Sequence, residues 1–183
     1  MGAALPKGAR ARLGLPLRPL DMMVFLRIYA LVGILLCPIA VLAAEERAVD
    51  TAECKEITAR VIEAIDAKFD HFSPGGTGVF LKASGINELV LSCTSRQTTG
   101  ISVVWDQSGF PPNAWFKKAS RAAKAVTVVE LGRLEEAIRR CHHAALKHKS
   151  ELSDMEIPNA KIDCQAFTRN GGGVNVGIYK SDR

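Results

Sequence analysis

Aromatic side chains are scarce in this chain, with 7 Phe, 2 Trp and 2 Tyr among 183 residues. A core of this size must then rest on Val, Ile, Leu and Ala, and no aromatic-lined cofactor box is expected. Catalytic signatures are missing as well. There is no HExxH, GxSxG, Walker A loop or GxGxxG in the sequence. The standard zinc-protease, serine-hydrolase and nucleotide-binding readings therefore have no support. No CxxC occurs, which removes a thioredoxin-like redox centre and a zinc-finger framework. His142 and His143 are neighbours; on a helix they diverge by about 100° and cannot grip one metal ion together. No cofactor or metal is expected.

A large excess of charge is also lacking where it would matter. The whole chain carries +5, but residues 1–44 hold five Lys/Arg against one Asp. The remainder is close to neutral, so no nucleic-acid footprint is expected. Charge within it is uneven: Glu45–Asp70 has eight acids and four bases, and Lys117–Lys149 has nine bases and three acids. Two solvated helix faces of opposite sign account for this pattern. The functional reading is a basic surface for an anionic envelope component.

What is present is a long apolar run. From Ile28 to Ala44 there are 17 residues without a charge, preceded by Arg27 and ending in Ala43-Ala44. A positive start, an apolar middle and a small-residue exit make a secretory signal, here 22–44, with cleavage near Ala43 and Ala44. The alternative is an uncleaved membrane anchor, for which 17 residues is the lower limit of length. A lipoprotein reading of Cys37 fails because Leu36 stands where a small residue is needed. Residues 1–21 form a basic, Pro- and Gly-rich leader, or precede a true start at Met22 or Met23. The expected arrangement is a single exported domain at 45–183, periplasmic or secreted.

Four cysteines, Cys54, Cys93, Cys141 and Cys164, fall in that domain. An even count in a small exported chain reads as disulfides. Hydrophobic periodicity places each of them. Thr51–Phe69 reads as an amphipathic helix, with Cys54, Ile57, Val61, Ile65 and Phe69 on one face and Asp50 as its cap. Gly78–Lys82, Glu88–Thr94 and Ile101–Asp106 read as alternating strands. Ala114–Ala125 is a short basic helix. A capping box of Thr127 and Glu130 opens a longer helix to about Lys149, with Cys141 on its inner stripe. Ser150–Asn159 reads as a polar linker. Two further strands around Cys164 and Val176 follow, joined by a turn at Asn170-Gly171. The expected class is α+β in the order α-β-β-β-α-α-β-β, an antiparallel sheet of about five strands with helices on one face. Each disulfide should join a helix to a strand, with Cys54 and Cys141 each bonded to Cys93 or Cys164.

The least ordinary segment is Phe110-Pro111-Pro112-Asn113-Ala114-Trp115-Phe116. It admits two readings. Trp115 and Phe116 either start a helix inside the core, or cap a partner-binding patch with Phe110, Lys117, Lys118 and Arg121. The function expected from sequence is an exported, non-enzymatic binding or accessory module of the cell envelope, with a protein or anionic envelope component as partner. The alternatives are an exported hydrolase whose site assembles from distant residues, and a membrane-tethered accessory protein.

Overall fold

The structure is a computed structural model that describes residues 47–94, 99–168 and 172–181. The leader, the apolar run with Ala43 and Ala44, and the Asn170-Gly171 turn lie outside them. A 3-10 turn, Ala48–Asp50, leads into helix α1, Ala52–Ile65. Four strands follow: β1 (Lys68–Phe72), β2 (Gly78–Lys82), β3 (Glu88–Ser92) and β4 (Gly100–Trp105). Helices α2 (Asn113–Val126) and α3 (Leu131–Lys147) cross over to β5 (Leu152–Ile157), β6 (Ala160–Ala166) and β7 (Val174–Lys180). The class is α+β. All seven strands form one antiparallel sheet in the order β1-β2-β3-β4-β7-β6-β5.

The sheet therefore has seven strands where about five were expected. Both additional strands lie at its edges. The helix predicted to reach Phe69 stops at Ile65, because Asp66 takes a left-handed conformation with φ 54° and turns the chain into β1. The segment predicted as a polar linker contains β5. Asp50 does not cap α1; it pairs with Arg47 Nε at 2.7 Å. Thr51 is the cap, its Oγ1 accepting from Cys54 N at 3.2 Å and donating to Ala48 O at 2.9 Å. Thr51→Ala is expected to cost about 1 kcal/mol, and Thr51→Ser to restore most of it, in urea denaturation. The expected Thr127–Glu130 box is split between two helices. Thr127 Oγ1 donates to Ala123 O at the end of α2, while Glu130 accepts from Arg133 N at the start of α3.

Strand alternation sorts the sheet into two faces. Cross-strand rows run through the helix-covered face. One is Val79–Leu91–Ile101–Ile178–Ile162–Met155, and the next is Leu81–Leu89–Val103–Val176–Cys164–Ser153. The central members of both rows are buried. Each Val, Leu or Ile so buried contributes roughly 1.5–3 kcal/mol. Helix α2 packs against α1, α3 and β4, so most of its circumference is interior. Its Ala119, Ala122 and Ala123 are fully buried, and their small side chains let the neighbouring helices approach.

The fold has two halves meeting at the β4–β7 seam. Each is a helix followed by an antiparallel meander: α1 with β1–β4, and α3 with β5–β7. Each half holds one disulfide. Cys54 of α1 is bonded to Cys93, immediately after β3, and Cys141 of α3 is bonded to Cys164 of β6. Both bonds thus run from a helix to the strand one place out from the seam, within the expected helix-to-strand class.

Candidate functional site

Helices cover one face of the sheet; among the described residues no element covers the other. On that open face the strands β4, β7, β6 and β5 form a concave surface of about 810 Å³. The volume falls in the range of small-ligand sites. Its floor is built by register. Across its middle run Ser102, Gly177, Asp163 and Asp154. Gly100, Tyr179, Lys161 and Glu156 form the row on one side, and Val104, Asn175, Gln165 and Leu152 the row on the other.

Glycine shapes the floor. A Cβ on Gly100 would fall 2.4 Å from Tyr179 Cδ1, and one on Gly177 would fall 2.9 Å from Tyr179 Oη and 3.0 Å from Cε2. The Tyr179 ring therefore lies across both glycines, one on its own strand and one on the neighbour. An aromatic ring laid over strand glycines replaces the packing that their missing side chains forfeit. Beside it, Ser102 Oγ donates to Asn175 Oδ1 at 2.8 Å. This bond orients the Asn175 amide and leaves its NH2 to donate elsewhere.

The electrostatics are close to balanced. Asp154 and Asp163 are directly opposite across β5 and β6, a repulsive arrangement by itself. Lys161 relieves it, with Nζ 3.2 Å from Asp163 Oδ1. The ammonium pKa is raised, chiefly by the hydrogen bond to Asp163 and further by the charges of Asp163, Asp154 and Glu156. Among the described residues Lys161 is the one Lys or Arg lining the concavity, with carboxylates around it.

At the rim, His148 Nδ1 lies 2.6 Å from Ser150 Oγ and accepts the Ser150 backbone N–H at 3.3 Å. This contact spans two residues and closes the turn after α3. The nitrogen facing the hydroxyl is thus shared with a structural hydrogen bond. Among the described residues, no group of three or more His, Cys, Asp or Glu could hold a metal ion. No described helix is long and apolar enough to cross a membrane.

The proline-rich segment resolves differently from a surface patch. Trp115 is 2% exposed and Phe116 6%, so both aromatics belong to the core, and a patch built on them is corrected. The reason is the interior position of α2. Phe116 is packed by Trp115, His142 and Arg139, whose guanidinium lies 4.4 Å above its ring. Arg139 also bonds Glu135 and the Asn113 side chain, tying α3 to the start of α2. Only Phe110 of the three aromatics is on the surface, 71% exposed. Lys117 and Arg121 are exposed; Lys118 Nζ donates to Ser84 O at 2.6 Å. The bases and aromatics therefore face opposite ways. The four cysteines form the two bonds already described.

His142 carries no metal role in the sequence, because His143 beside it diverges on the helix. It is 6% exposed, between Phe110 and Phe116. Burial lowers its pKa, and the neighbouring His143 lowers it further. The unfolded chain then binds a proton more readily than the folded one. Stability should fall as pH drops from about 7.5 towards 5, through the ordinary imidazole pKa of about 6.5. His142→Phe should flatten that slope in denaturation curves across the same window. An unchanged slope in the variant would assign it to another group.

The described residues thus form a disulfide-bonded α+β unit with one open, concave sheet face. Comparison with protein-family models, curated proteins and solved structures finds no match. The candidate site rests on its own geometry.

Proposed function

We propose that this chain is an exported, non-enzymatic binding module of the cell envelope, which holds its ligand on the open face of β4, β7, β6 and β5. The carrying observation is the concavity itself: a pre-formed floor lined by half-buried Ser102, Asn175, Asp163 and Tyr179 around Gly177. Such a pre-formed site with a few convergent polar groups suits recognition. A hydrolytic reading is less favoured by the same groups. The Asp163 carboxylate is engaged by Lys161, and His148 Nδ1 is engaged by the turn it closes. An activated nucleophile needs a base free to take its proton and a third group that orients the base.

Export is the compartmental half of the proposal. Two disulfides suit an oxidising environment, and the Met22–Ala44 segment has the layout of a signal. N-terminal sequencing of released protein should find Ala44 or Glu45 as the first residue. Full-length protein retained in membranes would favour the anchored alternative.

The binding half is tested by amide chemical shifts. Isotope-labelled protein is titrated with a detergent-free envelope extract of the cell that makes it. Shifts should cluster on β4, β7 and β6. Clustering on α2 and α3 would transfer the binding surface to the basic helices and overturn this proposal.

A further inference from the structure

We infer that the ligand of the open face is a neutral glycan, seated on the Tyr179 ring and held by Asn175, Gln165, Ser102 and Asp163. The inference rests on the binding-module reading above. Three observations carry it together. The first is the ring. The Tyr179 ring fills the space over Gly100 and Gly177, and the half-buried residue lines the concavity. A pyranose has one C–H-rich face of about the same width, and such a face packs on an aromatic plane. Burying it there removes apolar surface from both partners.

The second observation is the set of polar groups around the ring. Sugar hydroxyls both donate and accept. They are matched best by planar amides and carboxylates, which fix two neighbouring hydroxyls at once. Asn175 has its carbonyl taken by Ser102 and its NH2 left to donate. Gln165 pairs with Asn175 in the register and is exposed. Asp163 supplies a carboxylate acceptor in the row that holds Gly177. Donors and acceptors thus line the same concavity as the ring.

The third is charge. A phosphate, sulfate or acidic lipid headgroup requires uncompensated cations. Among the described residues the site has one Lys or Arg, Lys161, which lies 3.2 Å from Asp163 and within the field of Asp154 and Glu156. An anion approaching it would meet two lining carboxylates, Asp154 and Asp163. A strongly cationic ligand would have to displace Lys161. A neutral polyol meets neither obstacle.

The test uses the full chain with its disulfides intact and a set of neutral hexasaccharides: β-1,4-linked glucose, β-1,4-linked N-acetylglucosamine and α-1,4-linked glucose. Binding is read by calorimetry and by amide shifts. At least one saccharide should bind saturably, with shifts centred on β4, β7 and β6. Tyr179→Ala should weaken it about tenfold or more, and Tyr179→Phe should stay within about threefold, because the ring rather than the hydroxyl is the platform. Gln165→Ala, on an exposed side chain that leaves the fold intact, should weaken binding about 3- to 10-fold, the factor of one lost hydrogen bond.

Absence of binding by all three saccharides up to ~10 mM would overturn the inference. So would binding that Tyr179→Ala and Gln165→Ala both leave unchanged. The envelope-extract titration separates the two levels. If the extract shifts β4, β7 and β6 while no saccharide does, the face binds and its ligand is not a glycan. If neither does, both readings fall.

Discussion

Removal of both disulfides is expected to abolish the cooperative unfolding transition at physiological temperature. The bonds Cys54–Cys93 and Cys141–Cys164 close loops of 39 and 23 residues. On chain entropy alone these are worth about 4 and about 3.5 kcal/mol. Their sum is comparable to the whole stability of an ordinary domain, about 5–15 kcal/mol. Cys54→Ala with Cys93→Ala should still fold, at a lower denaturant midpoint, and so should the Cys141/Cys164 pair. The variant lacking all four should show no sigmoidal guanidinium transition by circular dichroism. Should it unfold within a few degrees of the parent, the bonds would be peripheral to stability. Intact mass after alkylation, with and without reductant, gives the accompanying check on four paired thiols.

The second large effect belongs to Trp115. Alanine there is expected to cost about 3–5 kcal/mol, the range for a truncated aromatic in a core. In a domain of this size that lowers the melting temperature by roughly 10–20 °C. The alternative, a recognition residue, would leave the melt almost unchanged. The indole Nε1 of Trp115 is buried without a hydrogen-bond partner among the described residues. Trp115→Phe removes that unsatisfied donor along with part of the volume, so it should cost less than half of what alanine does. Lys117→Ala and Arg121→Ala are surface references, expected within about 0.5 kcal/mol of the parent. A melt of Trp115→Ala matching those references would remove Trp115 from the core.

Sequence periodicity was sufficient for the interior and failed at the edges. Strands β2, β3, β4, β6 and β7 alternate because one face is buried by helices, and burial writes the alternation into the chain. The same holds for the helix-to-strand placement of the cysteines. The strand β1, KFDHF, has no buried residue, and a bulge between Phe69 and His71 breaks its alternation. Phe69 continues the helical spacing of Ile57, Val61 and Ile65, so spacing alone carries α1 through it. The strand β5 faces the open side with Leu152, Asp154 and Glu156, and polar residues there look like a linker. Bulges and charges at sheet edges are what discourage pairing with other chains, so the features that hid these strands are functional in their own right.

The candidate site was illegible for a related reason. Its members come from positions as distant as Ser102 and Tyr179, and each is an unremarkable polar residue on the wet side of a strand. Only the register Ser102↔Gly177↔Asp163 brings them together. The one local clue was the pair of strand glycines, Gly100 and Gly177, where side chains should be. In the aromatic segment the sequence held both readings open, because burial of Trp115 depends on α2 having α1 on one side and α3 on the other.

The strand order has a consequence for the growing chain. Among the described strands β7 comes last in the chain, yet it lies inside the sheet, between β4 and β6. While it is missing, β4 and β6 each present a bare hydrogen-bonding edge, and the apolar row from Leu91 to Ile162 is cut in the middle. Without β7 the two halves are linked through α2, which packs on both α1 and α3, and not through the sheet. The sheet is therefore continuous only once β7 is in place. Closure by a late, long-range strand also predicts slow folding, because the loop entropy must be met before the contacts reward it.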